Sequence, residues 1–226
     1  MDPPKFPFLT LLVSGGHTLL LLASSLSSFR LLATTQDESI GRSFDKVSRM
    51  LGLSWTAFGP GAALEQFCAQ PWGGPVPDLP PPPRPLRGRM AFSYASLHSH
   101  AERYIASQGG IHNLDAPTKI ALARNFQAAA IAQLEEKLLL GFEWCAKNKI
   151  EVHDVVVSGG VASNSYLRQR SVSFNVSDIS AHIVQISTVF DKSGIDGSYF
   201  PEFSSSVPLH RYSIPSLLVF VVLNIV

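Results

Sequence analysis

The stretch SGGVASNSYLR, residues 158–168, follows the apolar run Val155-Val156-Val157. Three β-branched residues in a row predict a buried strand, and the two glycines after it allow a sharp turn that can approach a ligand closely. Ser163 and Asn164 then offer N-cap oxygens for a following helix. A strand, a Gly-Gly turn and a helix N-terminus together favour a site for a nucleotide or another anion.

A second unit of this kind lies near the start of the chain. In LLVSGGHT, residues 11–18, the turn Ser14-Gly15-Gly16 stands between two apolar runs. This pattern predicts a β-hairpin with strands over residues 8–13 and 18–23. We expect the two Ser-Gly-Gly turns to form two lips of one ligand cleft.

The rest of residues 6–170 continues the alternation of strands and helices. Predicted strands cover 29–35, 90–94 and 152–157, and predicted helices cover 38–53, 62–70, 97–108 and 115–149. The fold class is therefore α/β. Residues 71–89 form a proline-rich loop, for which a surface loop without a partner is favoured over an SH3-type ligand.

Composition narrows the function classes. The chain has 226 residues, 46% hydrophobic and 15% charged, so it can bury a core. A net charge of +1 means that an RNA partner would need a local basic patch. The cluster Arg84, Arg87 and Arg89 is favoured as part of a solvated loop. Cys68 and Cys145 form neither a disulfide framework nor a zinc pattern and are expected to be buried thiols.

The character of the chain changes after Arg170. Residues 171–206 are rich in serine and lack helical or strand periodicity, so we expect 171–226 to be a divergent tail outside the fold. Its last ten residues, 217–226, are apolar but number about half of the ~20 needed to span a bilayer. No membrane association is therefore expected. The first five residues do not resemble a signal or transit peptide.

Five motifs, in order, resemble those of the tRNA adenosine threonylcarbamoyltransferases, the TsaD or Gcp family. They are FLTLLVSGGHT at 8–18, TQDESIGRSFDKV at 35–47, MAFSYASL at 90–97, ARNFQ at 123–127 and VSGGVASNSYLR at 157–168. The resemblance covers residues 6–170, a partial Gcp/TsaD-like domain.

The resemblance implies an actin-like ATPase (ASKHA) fold, in which two α/β domains enclose a nucleotide cleft and this chain supplies mainly the second lobe. Ser14-Gly15-Gly16 resembles the second phosphate loop, and Gly159 and Gly160 with Asn164 resemble the adenosine loop. The implied activity transfers a threonylcarbamoyl group from threonylcarbamoyl-adenylate to the adenosine next to the anticodon of a tRNA.

By the same resemblance, seven residues contact threonylcarbamoyl-adenylate or ATP. They are Leu12, Val13, Ser14, Gly15, Gly16, Asp45 and Asn164. Backbone N–H groups in a glycine turn suit an acyl or phosphate oxygen, and a carboxylate such as Asp45 can accept hydrogen bonds from ribose hydroxyls. No catalytic residue is assigned.

The resemblance also implies a divalent metal, iron or zinc, held by a His-x-x-x-His pair upstream of the first strand and by a downstream Asp. We expect neither element in this chain, and therefore no metal ligands. His98 and His100 are two residues apart and are expected to be exposed polar residues; His98 stands where the family usually has Lys. Gly59-Pro60-Gly61 replaces the usual YPGGP, which weakens the predicted glycine contact to the ribose.

These departures predict a truncated enzyme, incomplete at both ends and inactive alone. An isolated lobe would expose apolar surface and self-associate, with a homodimer as the simplest form. The alternative is a non-catalytic adenine-nucleotide-binding or interaction module on the same fold. A sugar kinase of this fold is disfavoured, because residues 1–170 contain no convincing candidate for its catalytic Asp. The His17 form of the first turn resembles the bacterial and mitochondrial branch, so a mitochondrial location is expected, with the cytoplasm as the alternative.

Overall fold

The computed structural model describes residues 4–55, 57–152, 154–172 and 182–185. Its strands are β1 (Phe8–Val13), β2 (Thr18–Ala23), β3 (Phe29–Thr34), β4 (Asp154–Ser158) and β5 (His182–Gln185). Its helices are α1 (Ile40–Met50), α2 (Pro60–Ala69), α3 (Ala95–Ser107), α4 (Ala116–Lys147) and α5 (Ser165–Val172). A 3₁₀ turn at Gly160–Ser163 precedes α5. The architecture is mixed α/β, as the sequence predicted.

The strands form one mixed sheet in the order β3-β2-β1-β4-β5. β1 and β2 pair antiparallel around the first glycine turn, which confirms the predicted hairpin. β1 and β4 pair parallel, with Leu12 opposite Ser158. Every residue of β1 and β4 is buried, as expected for central strands with continuous apolar runs. The carboxyl ends of β1 and β4 therefore lie side by side.

Helices α1 and α4 cover one face of the sheet. The apolar face of α1, which includes Phe44, and that of α4, which includes Phe126, join Leu9, Leu11 and Val13 of β1 in a single apolar core. The rings of Phe44 and Phe126 meet edge to face, with their centroids 5.2 Å apart. This packing fixes the orientation of α1, whose first turn reaches the glycine turns.

The prediction of a strand over residues 90–94 is wrong. Only Phe92 pairs with a neighbour, in an isolated bridge to Thr35. The carboxylate of Asp37 accepts hydrogen bonds from the N–H groups of Tyr94 and Ala95. Because these donors are directed to a carboxylate, the extended run ends and α3 begins.

The division at residue 170 stays a prediction, and most of residues 171–226 lies outside the described residues. Two elements nevertheless enter that segment. α5 continues to Val172, and β5 (His182–Gln185) pairs parallel with β4 at the edge of the sheet. These four residues therefore extend the sheet, although the sequence placed them in the tail.

The proline-rich loop, residues 71–89, is attached to α4 at its end. Lys137 is fully buried, and its ammonium group donates a hydrogen bond to the Leu86 carbonyl over 2.7 Å. The neighbouring Glu136 accepts a hydrogen bond from the Gly88 N–H over 2.7 Å. Part of the loop's backbone thus binds α4, and the expectation of a surface loop without an SH3-type partner stays a prediction.

Replacing Lys137 by methionine is expected to lower the free energy of unfolding by about 2 kcal/mol, since a hydrogen bond from a charged donor is lost and a carbonyl loses its partner. Lys147→Met, at the exposed end of the same helix, is the matched control and should change stability by about 0.5 kcal/mol. Urea unfolding followed by circular dichroism measures both. Equal effects of the two substitutions would contradict the role of the loop contact.

Candidate nucleotide site at the glycine turns

The two Ser-Gly-Gly turns lie against each other at the carboxyl ends of β1 and β4. Gly159 has a φ of +100°, and a Cβ added to it would lie 2.3 Å from the carbonyl oxygen of Val13. The same Cβ would lie 3.3 Å from the Cβ of Ser14. Only glycine allows this approach. The two turns are therefore adjacent, and the ligand cleft between them stays a prediction.

The first turn is closed by its own serine. Ser14 Oγ accepts hydrogen bonds from the N–H groups of Gly16, over 3.2 Å, and His17, over 2.9 Å. The Ser14 N–H donates to the His17 carbonyl over 2.9 Å. Gly15 and Gly16 are exposed, and the Gly15 N–H donates to no residue that the structure describes.

The N-terminus of α1 is docked on the first turn. Ser39, its N-cap, donates from Oγ to the Gly15 carbonyl over 2.7 Å. The Gly41 N–H donates to the Ser14 carbonyl over 3.3 Å, and a Cβ at Gly41 would lie 2.6 Å from that oxygen. The first donors of α1 are thus used by the protein, and they hold the turn in place.

Asp45 follows Gly41 by one turn of α1, so it projects from the same side of the helix. Its Oδ1 accepts a hydrogen bond from the Gly61 N–H over 2.8 Å and so caps α2. Within the described ranges, Oδ2 has no hydrogen-bond partner. One carboxylate oxygen of a predicted ligand residue therefore supports the fold, and the other is available to a ligand.

Like Asp45, Asn164 uses one polar atom to cap a helix and leaves the other for a ligand. It is 4% exposed, and its Oδ1 accepts a hydrogen bond from the Leu167 N–H over 2.9 Å, which caps α5. Its amide nitrogen donates to none of the residues with described positions. Because an N–H can bind only the amide oxygen, the NH₂ group must be the end left for a ligand.

Glu65 of α2 is a residue of this region that the sequence analysis missed. Its Oε1 accepts hydrogen bonds from the N–H and the Oγ of Ser165, over 2.7 and 2.8 Å. The contact joins α2 to the start of α5, and the two residues are 100 positions apart. No local pattern could have indicated this pair.

The contacts form a closed ring of elements: the first turn, α1, α2, α5 and the second turn. At the N-terminus of each of the three helices, one N–H donates to an acceptor within the ring. The donors without a partner in the described part of the chain include the Gly15 and Gly160 N–H groups and the Asn164 amide. Such a set suits an anionic oxygen together with a polar base or sugar. The glycines line an open surface; a groove of about 640 Å³ lies elsewhere, between the proline-rich loop and α4.

Leu12 and Val13 take part through the backbone. Both side chains are buried in the sheet. The Val13 carbonyl faces Gly159, so these residues position the two turns rather than present side chains to solvent.

Asp37 is a second residue that the sequence analysis missed. Ser93 Oγ donates to it over 2.6 Å, and the Tyr94 N–H donates over 2.9 Å. Burial acts to raise the pKa of Asp37, but these bonds and those from the N–H groups of Glu38 and Ala95 outweigh it and lower that pKa. The carboxylate joins the segment before α1 to the start of α3.

The described residues do not fit a metal centre. Among them, no three His, Cys, Asp or Glu side chains form a group that could hold a metal ion. The expectation that His98 and His100 are exposed is wrong. Both are half-buried: Nδ1 of His98 contacts the Glu38 carboxylate, which also pairs with Lys46, and Nε2 of His100 lies 3.2 Å from the Pro80 carbonyl oxygen.

Both cysteines are buried and unpaired in helices, as predicted. Burial raises the pKa of the Cys68 thiol to about 12. A thiol with this pKa is protonated at neutral pH and is therefore a poor nucleophile.

In the part of the chain that the structure describes, no helix combines the length and the apolar composition needed to cross a membrane. The apolar segment at residues 217–226 lies outside these residues.

Comparison with known proteins agrees with the motifs. The family model for TsaD, tRNA N6-adenosine threonylcarbamoyltransferase, matches residues 1–186. A probable mitochondrial tRNA N6-adenosine threonylcarbamoyltransferase of Arabidopsis thaliana is 35% identical over 174 residues, 74% of this chain and 36% of the relative. A Methylobacillus flagellatus protein of the same activity name is 34% identical, over 75% of this chain and 46% of the relative.

A mitochondrial relative from Schizosaccharomyces pombe is 36% identical over 73% of this chain and 39% of its own length. The chain thus spans less than half the length of these relatives. The match nevertheless includes both glycine turns and the helices between them, so the chain belongs to the TsaD family of tRNA N6-adenosine threonylcarbamoyltransferases.

Proposed function

We propose that the chain binds threonylcarbamoyl-adenylate or ATP at the paired glycine turns and serves transfer of the threonylcarbamoyl group to the adenosine next to the anticodon of a tRNA. One observation carries the proposal: two glycine turns with unpaired N–H groups meet at the carboxyl ends of the parallel strands β1 and β4. Ligands of α/β sheets bind at this edge. The helix-covered mixed sheet is compatible with one lobe of an actin-like fold.

In this proposal the chain's residues bind and orient the reactants. The N–H groups of Gly15 and Gly160 donate to the phosphate or carbamoyl oxygens of the adenylate, where negative charge is present or develops. The Asn164 amide donates to the nucleoside, and Asp45 Oδ2 accepts from a ribose hydroxyl. The amine of the acceptor adenosine then forms a bond to the carbamoyl carbon, the bond from that carbon to the phosphate oxygen breaks, and the amine loses a proton.

A divalent metal belongs to the family resemblance, but the residues described do not supply its ligands, and we assign it no step. We further propose that the protein acts in mitochondria, because the relatives from Arabidopsis thaliana and Schizosaccharomyces pombe carry that location in their names. The homodimer stays a prediction.

The substitution Asn164→Asp separates binding from folding. Aspartate keeps the oxygen that caps α5, so stability should change by about 1 kcal/mol or less. It replaces the donor NH₂ with a negatively charged oxygen, which faces an acceptor atom of the nucleoside instead of donating to it. We therefore expect the affinity for ATP, and for a non-hydrolysable threonylcarbamoyl-adenylate analogue, to fall by about tenfold or more. Isothermal titration calorimetry measures the affinity of the chain for each of the two ligands.

Asn125→Asp on α4 is the matched control, because this asparagine lies in the groove beside the proline-rich loop. It should bind both ligands like the parent chain. Equal affinities of the two variants would contradict the assignment of Asn164. Adenylate binding without transfer of labelled threonylcarbamoyl to tRNA would favour the non-catalytic module instead.

A further inference from the structure

Two large aromatic side chains in the α1–α2 connection are exposed. Phe58 is 82% exposed and Trp55 is 50% exposed, whereas the aromatic residues of the core are buried. Large aromatic side chains exposed in this way can contribute to an interaction surface. Phe58 immediately precedes Gly59, which is the N-cap of α2, and Trp55 lies three residues before Phe58.

The exposed face of α1 leads to these aromatics and carries positive charge. Arg42, Lys46 and Arg49 are spaced i, i+4 and i+7, so they lie along one side of the helix over about 10 Å. Lys46 pairs with Glu38, while Arg42 and Arg49 form no ion pair with a described residue. The guanidinium carbon of Arg49 lies 5.7 Å from the Trp55 ring centroid, which places a cation on the aromatic face.

This basic and aromatic stripe, defined as Arg42, Lys46, Arg49, Trp55 and Phe58, begins and ends beside residues that build the proposed nucleotide site. At one end, Arg42 directly follows Gly41, whose N–H is bound to the Ser14 carbonyl. At the other end, the aromatics precede the glycine that binds Asp45. A ligand lying along α1 would therefore reach from the first glycine turn to the start of α2.

We propose that the stripe binds an unpaired segment of RNA, with its phosphates on Arg42 and Arg49 and a base stacked on Trp55 or Phe58. This inference rests on the proposed function and names the surface that would present the acceptor adenosine to the glycine turns. Single-stranded RNA is recognised by aromatic stacking beside a positive track. A duplex keeps its bases stacked internally and cannot use the aromatic groups. The small net charge of the whole chain makes a local patch of this kind necessary.

The test is fluorescence anisotropy of the full chain with a labelled stem-loop RNA and with a duplex of equal length, in the absence of nucleotide. The double variant Trp55→Ala/Phe58→Ala should bind the stem-loop about tenfold more weakly and the duplex like the parent chain. The double variant Arg42→Glu/Arg49→Glu should weaken binding of both RNAs. It should also reduce the slope of log affinity against log salt concentration by about 1 to 2.

Matched controls lie elsewhere on the surface. Leu31 of β3 is 53% exposed, and Arg103 is exposed on α3. Leu31→Ala and Arg103→Glu should leave stem-loop affinity within about twofold of the parent chain. Equal loss in Arg103→Glu and in the stripe variants would overturn the proposal, because the effect would then be one of general charge.

Unchanged RNA affinity in Trp55→Ala/Phe58→Ala would also overturn it. If that variant also converts an assembled chain to monomers in sedimentation velocity, the aromatics form a protein contact instead. Titration of ATP into the same variants keeps the two proposals distinguishable. If the parent chain binds RNA but not ATP, only the proposed nucleotide site is contradicted. If it binds ATP but not RNA, only the proposed RNA-binding stripe is contradicted.

Discussion

Replacing Gly159 by alanine is expected to lower the free energy of unfolding by about 4 kcal/mol and to abolish the proposed binding of ATP. The new Cβ would lie 2.3 Å from the Val13 oxygen and 2.8 Å from its carbonyl carbon. Both atoms belong to the backbone of a buried central strand, which cannot move aside as a side chain could. The φ of +100° adds strain for any residue with a Cβ.

The matched control is the adjacent Gly160→Ala. A Cβ at this position meets no atom within 4 Å, so stability should change by about 0.5 kcal/mol. Urea unfolding followed by circular dichroism compares the two variants. If Gly159→Ala fails to fold while Gly160→Ala folds, the contact between the turns is supported in its strongest form. Two equally stable variants would mean that the turns do not approach each other in this way.

Replacing Asp37 by alanine is expected to lower the free energy of unfolding by about 3 kcal/mol at pH 7. The substitution removes the acceptor for Ser93 Oγ and for the N–H groups of Tyr94 and Ala95. Hydrogen bonds to a charged acceptor are among the stronger ones, and the first donors of α3 would lose their cap. Asp78→Ala, in the exposed proline-rich loop, is the control and should have little effect.

The same carboxylate gives stability a dependence on pH. The pKa of Asp37 is lower in the folded chain than the ordinary value of 3.8. Its contribution is therefore present above pH 3.8 and is lost as the pH falls through the lower folded pKa. The difference in stability between the parent chain and Asp37→Ala should shrink between pH 5 and pH 2. A constant difference over this range would show that the charge of Asp37 contributes nothing.

Local patterns were sufficient for most helices and strands. The hairpin around Ser14-Gly15-Gly16 was predicted because apolar runs flank a glycine turn, and its predicted strand bounds agree with the structure. The helix predicted over 115–149 begins where Asp115 accepts a hydrogen bond from the Thr118 N–H, three residues along the chain. Such signals depend on neighbours in the chain. The strand prediction for residues 90–94 failed because the hydrogen-bond partner of this segment, Asp37, lies more than 50 residues away in the chain.

The candidate site could be predicted only in part. Its residues could be identified from motifs, and the structure brings the two turns together as expected. The sequence did not indicate that Asp45 and Asn164 each use one polar atom to cap a helix, or that Glu65 holds α5. These contacts decide which atoms remain for a ligand. Replacing Asn164 by aspartate keeps the oxygen that caps α5 and removes only the amide donor, whereas a larger truncation would remove both.

By itself, the sequence determined the α/β class, the family and the positions of the glycine turns, because these depend on residue types at short and fixed spacing. The tertiary structure alone decided that Gly159 touches Val13, that Glu65 reaches Ser165 and that Lys137 binds the proline-rich loop. Each of these contacts joins residues more than 50 positions apart. Their geometry depends on how the sheet and helices pack, and no local pattern records that packing.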